Sequence, residues 1–375
     1  MGNISAGMRA GCIALLLSMC LVWTGAAEDS SSARAAYVMD AKTGRTLFAF
    51  NEEAPLPMAS TTKVMTALLA LENGNLDDMV ETGTNAYGVP GTSIYLGLGE
   101  KLRLEEMLYG LMIASGNDAA VAIAEHIGGS VDSFAEMMTR RAETLGAVNT
   151  RFVTPHGLPA EGHYTTARDL TLIAAEAMKH PVFREIVSTQ RASIPWEGRE
   201  YMRVLKNKNA LLNDFEGAIG IKTGFTRAAG RCLVFAAKRG EMEIIGVALN
   251  CSDWFLESAR ILESCFQKYT WTEMLPDGEW AGMLSVEKGE KDVAAVIIDG
   301  TLAAPLEAKE MALMKIEMEP VITAPLPQGT QVGRALMVVG DTILDEKPLV
   351  LQEDIHEKPS SFRMLIQNWL LLADE

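Results

Sequence analysis

The chain has 375 residues, of which 48% are hydrophobic, so it is long enough for two or three domains with a substantial core. Its formal net charge of −16 is the wrong sign for a protein that binds the phosphate backbone of nucleic acids. We therefore expect no nucleic-acid partner. The five histidines are scattered and form no metal-ligand motif, so we also expect no metal and no other cofactor.

The first 27 residues are predicted to form a secretory signal peptide. Arg9 supplies a positive charge, residues 12–23 form an apolar run, and Gly25-Ala26-Ala27 offers small residues for cleavage. The run is short for a membrane span, although an uncleaved anchor stays open as the alternative. The protein is therefore expected to be exported. Removal of this segment would leave three cysteines, which allow at most one disulfide: Cys232, Cys251 and Cys265.

Two strands and a helix open the exported chain. Residues 35–40 and 46–50 are predicted to form a β-hairpin, and apolar residues at helical spacing predict a helix from Ser60 to about Leu71. Ser60 and Lys63 lie one turn apart on the same face of this helix. A buried lysine whose pKa is lowered by a second cation can take the proton of a serine and make it a nucleophile. The alternative is a capping serine beside a solvated lysine.

The middle of the chain is predicted to be mostly helical. Helices are expected over residues 104–113, 119–127, 133–145 and 166–178, with Thr166 as the N-cap of the last one. A tight turn over residues 114–118 separates the first two helices.

Strands return before a closing helix. Residues 200–212 carry no clear prediction, residues 218–224 lead into a strand over 232–237, and a further strand covers 243–249. A helix over 254–271 is expected to close the domain. Strands at both ends with helices between them indicate an α+β fold, in which an antiparallel sheet packs against a helical cluster.

The composition changes after Leu275. Pro276-Asp277-Gly278 is typical of a linker, and the short β-rich runs that follow predict a small all-β domain. Near the end, one helical face collects the apolar residues Phe362, Leu365, Ile366, Trp369 and Leu370.

This face predicts an amphipathic helix that lies on a membrane surface, and the alternative is a terminal helix packed on the β domain. We therefore divide the chain into a signal peptide (1–27), a first domain (28–275), a β domain (276–357) and a C-terminal helix (358–375).

Three short motifs occur in order along the first domain: Ser60-Thr61-Thr62-Lys63, Ser115-Gly116-Asn117 and Lys222-Thr223-Gly224. Each is weak alone, as two stray copies show. Lys42-Thr43-Gly44 precedes the serine in a hairpin turn, and Ser285-Val286-Glu287-Lys288 lies in a strand and turn. The ordered set of three is much more specific, and it resembles penicillin-binding proteins and serine β-lactamases.

The flanking segments narrow the resemblance. Residues 155–158, 163–169, 222–226 and 229–233 are similar to the serine-type D-alanyl-D-alanine carboxypeptidases, which are low-molecular-mass penicillin-binding proteins. The similarity covers nearly the whole exported chain, including the β domain and the C-terminal anchor. It departs at Phe225, where some relatives have histidine. It implies an enzyme of the cell wall or periplasmic space, at the outer face of the cytoplasmic membrane. That enzyme removes the terminal D-alanine of peptidoglycan stem pentapeptides and is acylated by β-lactams.

The resemblance also implies a role for each motif residue. Ser60 would be the nucleophile, Lys63 its base, and Ser115 a relay that passes the proton to the leaving amine. The substrate-binding set would be Asn117 for an amide, Lys222 and Thr223 for the terminal carboxylate, Gly224 for close approach, and Phe225. The backbone N–H groups of Ser60 and Phe225 would form the oxyanion hole. Lys222 would also be the second cation near Lys63.

Other functions remain open on the same residues. A β-lactamase needs fast deacylation, for which Glu161 is a candidate, although its surroundings follow the carboxypeptidase pattern. Transpeptidases and endopeptidases share the acyl-enzyme. A non-catalytic cell-wall binding module would have no use for the intact set of motif residues. His156 suggests a Ser-His-Asp triad, but its Pro and Gly neighbours favour a structural loop.

Overall fold

A computed structural model describes residues 31–359. The predicted signal peptide and nearly all of the predicted C-terminal helix therefore lie outside the described residues. Between residues 31 and 359, no helix has the length and apolar character needed to cross a membrane.

The first domain is built on an antiparallel sheet. Its strands, in chain order, are β1 Ala33–Asp40, β2 Thr46–Phe50, β3 Met79–Glu81, β4 Lys101–Arg103, β5 Arg191–Ile194, β6 Arg203–Lys206, β7 Ala218–Thr226, β8 Gly230–Arg239 and β9 Met242–Cys251. Five of them form the main sheet in the order β2-β1-β9-β8-β7, so β9 is central and β7 is an edge strand. The pairs β3–β4 and β5–β6 form two small antiparallel ribbons.

Helices cover both faces of the main sheet. They are a 3-10 helix Ala59–Thr62, α1 Lys63–Asn73, α2 Leu104–Met112, α3 Asn117–Gly128, α4 Val131–Thr144, α5 Ala167–Met178, α6 Pro181–Ser188, α7 Leu211–Asp214 and α8 Trp254–Lys268. Successive side chains of β1 point to opposite faces, as the pleat requires. Ala35, Tyr37 and Met39 join the core under α1–α6, whereas Ala36 and Val38 join the core under α8.

The second domain is all-β, as predicted. Its strands are β10 Tyr269–Leu275, β11 Trp280–Glu287, β12 Val293–Ile298, β13 Leu302–Glu307, β14 Leu313–Met318, β15 Val321–Thr323, β16 Gln331–Val339 and β17 Thr342–Leu351. Six of them form a sheet in the order β14-β16-β17-β12-β11-β15, and β10 pairs with β13.

The predicted closing helix is wrong at its end. Helix α8 stops at Lys268, and Tyr269–Trp271 belong to β10. Tyr, Thr and Trp favour extended backbone, and pairing with β13 gives their backbone groups partners that a helix end would leave unmet. Residues 200–212, which carried no prediction, contain β6 and the start of α7. Thr166 is confirmed as the N-cap of α5, since its side chain accepts a hydrogen bond from the Asp169 N–H.

The turn between β1 and β2 contacts the second domain. The Arg45 guanidinium donates to the carbonyl oxygen of Pro305 at 2.5 Å and forms an ion pair with Glu310. Lys42 Nζ lies 4.6 Å from the centre of the Trp271 ring. The stray Lys42-Thr43-Gly44 motif is therefore part of a domain contact.

Candidate active site

Ser60 lies in the 3-10 helix that leads directly into α1. Two threonine side chains stabilise this turn through hydrogen bonds to backbone carbonyl oxygens of the same turn. Thr61 Oγ1 donates to the carbonyl oxygen of Met58 at 2.5 Å, and Thr62 Oγ1 donates to that of Ala59 at 2.8 Å. Ala59 has a φ of +50°, which residues with a side chain rarely adopt. A rare backbone conformation directly before a candidate nucleophile is typical of functional sites.

The side chain of Lys63 is fully buried and has three oxygen atoms around its nitrogen. Nζ lies 3.0 Å from Ser60 Oγ, 2.7 Å from Asn117 Oδ1 and 2.8 Å from the backbone oxygen of His156. The helical spacing that predicted a Ser60–Lys63 pair is therefore realised as a direct contact. A solvated lysine beside a capping serine, the alternative considered above, is wrong.

The surroundings of Lys63 favour its neutral form. Burial, and after it the positive charge of Lys222, holds the pKa of Lys63 well below its ordinary value. A neutral amine has two N–H groups and one lone pair. The two N–H groups match the oxygens of Asn117 and His156, which leaves the lone pair to accept the hydroxyl proton of Ser60. This arrangement is the one that a general base requires.

Ser115 lies in the turn between α2 and α3, and Asn117 follows that turn. Ser115 is buried with a φ of +66°, and Asn117 is the first residue of α3. Asn117 Nδ2 donates to the carbonyl oxygen of Pro90 at 2.6 Å, and its backbone N–H donates to that of Thr92 at 2.7 Å. The sequence suggested only a substrate contact for Asn117. In the structure its amide oxygen also positions Lys63.

Asp118, which the sequence analysis did not single out, fixes the loop beside this motif. Its buried carboxylate accepts hydrogen bonds from Ser93 Oγ at 2.5 Å and from the backbone N–H groups of Ile94 at 3.0 Å and Leu96 at 3.1 Å. Its charge opposes the effect of Lys222 on the pKa of Lys63. The sequence signal was an acidic residue at the first turn of a predicted helix.

The third motif lies in β7, at the edge of the main sheet. Lys222 is 2% exposed, and burial, followed by the charge of Lys208, lowers its pKa to about 7. A Cβ on Gly224 would stand 3.0 Å from the backbone nitrogens of Ser60 and Thr61. This glycine thus lets the strand approach the 3-10 turn Ala59–Thr62 that carries the candidate nucleophile, which we call the nucleophile turn.

Thr223 and Phe225, the remaining residues of the third motif and its flank, lie in the same strand. Thr223 is 8% exposed, whereas the Phe225 side chain is 61% exposed. The exposed amine of Lys208 lies between β6 and α7, and no motif pointed to it.

Two histidines and a glycine pack against the nucleophile turn or against Lys63. His163 Nε2 lies 2.9 Å from Thr62 Oγ1, and a Cβ on Gly157 would stand only 1.8 Å from the carbonyl oxygen of Ala59. Burial lowers the pKa of His156 to about 3, and its ring nitrogen accepts a hydrogen bond from a backbone N–H of its own loop. These contacts support the structural-loop interpretation of His156.

Comparison with known proteins gives two family matches. Residues 23–253 match the model of the D-alanyl-D-alanine carboxypeptidase family (peptidase S11). Residues 269–357 match the C-terminal domain of penicillin-binding protein 5.

Individual relatives agree with the family matches. The chain is 33% identical to D-alanyl-D-alanine carboxypeptidase DacF of Bacillus subtilis over 343 residues, covering 88% of this chain and 87% of that protein. It is 32% identical to DacC of Escherichia coli, covering 88% of this chain and 85% of that protein.

Solved structures of similar proteins cover the same regions. Penicillin-binding protein 5 of Haemophilus influenzae superposes with a TM-score of 0.73 at 27% identity, covering 88% of this chain and 98% of that one. The Streptomyces K15 DD-transpeptidase superposes with a TM-score of 0.60 at 35% identity, covering 64% of this chain and 98% of that one.

Proposed function

The chain belongs to the D-alanyl-D-alanine carboxypeptidases, serine peptidases of the cell wall, and we propose that it works through an acyl-enzyme on Ser60. The observation that carries this assignment is the 3.0 Å contact between Ser60 Oγ and a buried Lys63 Nζ whose two N–H groups are already engaged. No other described group competes for the lone pair of that amine in this arrangement.

Acylation begins when Lys63 takes the hydroxyl proton of Ser60. The oxygen attacks the carbonyl carbon between the two terminal D-alanines, and negative charge develops on the carbonyl oxygen. The backbone N–H groups of Ser60 and Phe225 would receive that charge, and the close approach of Gly224 to the nucleophile turn supports this pairing. The C–N bond then breaks, and the leaving amine receives the proton held by Lys63, with Ser115 as its relay.

Deacylation reverses the roles with water as the attacking group. Lys63 takes a proton from water, the hydroxide adds to the ester, and Ser60 leaves with the proton restored to its oxygen. The products are a stem tetrapeptide and free D-alanine. A water held by a glutamate, as in class A β-lactamases, finds little support, because Glu161 is exposed in its loop.

Lys222 and Thr223 would hold the terminal carboxylate of the substrate. A buried ammonium has lost its hydration, so an arriving carboxylate restores a charge partner to it. A carboxypeptidase acts on a D-alanine with a free carboxylate, and this contact fits that requirement.

Two experiments on one variant test the catalytic assignment. We expect Ser60→Ala to lose both covalent labelling by a fluorescent penicillin and release of D-alanine from a pentapeptide stem, while its circular dichroism matches that of the wild type. Labelling that persists in Ser60→Ala would contradict the assignment and point to another serine. Fast release of hydrolysed penicillin by the wild type would favour a β-lactamase, and an amide product with an added amino acceptor would favour a transpeptidase.

We also propose that the chain acts outside the cytoplasmic membrane, exported by residues 1–27 and held at the membrane surface by residues 358–375. Peptidoglycan, the substrate of the family, lies outside that membrane, and the sequence of the C-terminal segment places apolar residues on one helical face. Truncation after Lys358 should abolish binding to liposomes and leave activity unchanged. A lower melting temperature with unchanged liposome binding would instead mean that the segment packs on the β domain.

A further inference from the structure

Tyr95 combines an exposed aromatic ring with a strained backbone. Its side chain is 75% exposed and its φ is +61°, a conformation that bulky residues rarely adopt. Such a conformation persists only where surrounding contacts enforce it, and it is common at ligand-binding positions. The contacts around Tyr95 therefore indicate what the strain serves.

Tyr95 lies in a loop over residues 92–100, which we call the Tyr95 loop. The first part of this loop is fixed to residues beside the second motif. Asp118 holds the backbone N–H groups of Ile94 and Leu96, on either side of Tyr95. The Tyr95 N–H itself donates to Ser93 Oγ at 2.8 Å, and that hydroxyl in turn donates to Asp118. The strained residue is thus bracketed by hydrogen bonds to a single buried carboxylate.

The far end of the loop is fixed by a buried ion pair. Glu100 and Arg203, whose side chains are each 4% exposed, are joined by contacts of 2.9 and 3.1 Å. Glu100 also accepts the N–H of Gly97 at 2.7 Å, and Arg203 donates to the carbonyl oxygen of Tyr95 at 3.3 Å. The pair therefore ties the loop to β6 and restrains the backbone from which the Tyr95 ring projects.

Tyr95 lies close to Asn117 of the second motif. The N–H of Asn117 is bonded to the carbonyl oxygen of Thr92, and three residues of chain from Thr92 to Tyr95 span at most about 10 Å. Ile94 lies against Gly116, where a Cβ would be 3.2 Å from its methyl group. The resemblance assigns a substrate amide to Asn117, so the part of the substrate that precedes the two D-alanines would pass Asn117 and come within reach of Tyr95.

We propose that Tyr95 is a specificity-determining residue that binds the third residue of the stem peptide and prefers a long side chain ending in an amino group. The methylene groups of such a side chain pack on the tyrosine ring, and its ammonium is attracted to the ring face. The competing charge of Arg203 is already neutralised by Glu100. This inference rests on the function proposed above.

The test compares two peptides that differ by one ammonium group. Acetyl-lysyl-D-Ala-D-Ala and acetyl-norleucyl-D-Ala-D-Ala have third residues of similar length, and the ratio of their kcat/KM values measures recognition of the charge. We expect the wild type to favour the lysine peptide by about two- to fivefold and Tyr95→Ala to lose this preference. Tyr95→Phe, which keeps the ring, should retain it.

Three further variants separate recognition of the peptide from effects on folding. Glu100→Gln should reduce the preference, because it frees the far end of the loop, whereas Glu243→Gln should not. Glu243 is the matched control, since it forms a similar two-bond pair with Arg184 between β9 and α6. Leu256→Ala, which removes an exposed apolar side chain on α8, should also leave the ratio unchanged.

Penicillin labelling separates a failure of this inference from a failure of the proposed function. All these variants should be labelled at rates within about twofold of the wild type. An unchanged lysine-to-norleucine ratio in Tyr95→Ala, or equal losses on both peptides, would overturn the role of Tyr95 alone. A wild type that is neither labelled nor releases D-alanine would overturn the proposed function instead.

Discussion

Replacing His163 should make the free energy of unfolding less sensitive to acid. His163 Nδ1 accepts the N–H of Val153 at 3.0 Å, so the ring proton is on Nε2, 2.9 Å from Thr62 Oγ1. Thr62 gives its own proton to Ala59, and it therefore accepts the proton of Nε2. Only the neutral ring satisfies both neighbours, because a second proton would face the Val153 N–H.

The magnitude follows from the pKa of the buried ring. Burial lowers the pKa of His163 from 6.5 to about 4, so between these values the unfolded chain binds the proton and the folded chain does not. The stabilising effect of the neutral ring is therefore complete above pH 6.5 and is lost as the pH falls towards 4. The full loss is about 3 kcal/mol, of which about 2 kcal/mol has occurred by pH 5. His156, with a pKa of about 3, acts in the same direction.

Urea unfolding at pH 7.5 and pH 5 measures this effect. We expect His163→Gln to be less stable than the wild type at pH 7.5, because it loses the contact to the nucleophile turn. Between pH 7.5 and pH 5, however, it should lose about 2 kcal/mol less than the wild type. His356→Gln, at an exposed position, is the control and should behave as the wild type does. The same pH dependence in His163→Gln and wild type would refute the reasoning.

Two further predictions concern the third motif and the nucleophile turn. Lys222→Ala should slow hydrolysis of a free-acid peptide by one to two decades more than that of its terminal amide, since a charged hydrogen bond contributes about 1.5–3 kcal/mol. In the wild type, KM for the free acid should rise above pH 7 as Lys222 loses its proton; equal losses on acid and amide would rule out the carboxylate role. Gly157→Ala should destabilise the chain and slow penicillin acylation, because its Cβ would meet the carbonyl oxygen of Ala59 at 1.8 Å. Gly146→Ala is the matched control, with a similar φ and open space around its Cβ, and should cost only the about 1–2 kcal/mol of the left-handed backbone; equal effects in the two variants would contradict the packing argument.

Most of the fold and the central contact of the site could be predicted from local patterns. Helical spacing placed Ser60 and Lys63 one turn apart, and the structure joins them directly. Short, nearly continuous apolar runs indicated the strands of the main sheet, because a pleated strand between two helical layers is apolar on both faces. The order of three motifs indicated which residues the fold would assemble.

Contacts between distant segments could not be predicted in the same way. The second role of Asn117, the support of Thr62 by His163 and the pairing of Tyr269 with β13 all join residues far apart in sequence. None leaves a periodic signal. The helix prediction over Tyr269–Trp271 failed for this reason, since the partner strand that decides its conformation comes about thirty residues later.

The position of β1 in the sheet has a consequence for the order in which the molecule forms. Its two neighbours are β2, a few residues away, and β9, which begins about two hundred residues later. A strand that needs so distant a partner pairs slowly, because the entropy of a long loop is lost before the pairing stabilises it. Strand β7 also comes late in the chain, so the third motif cannot reach the nucleophile turn before residue 226 has been made. The chain thus assembles the complete site only after β7, β8 and β9 have been made, and we expect a chain truncated before β9 to be inactive towards both substrate and penicillin.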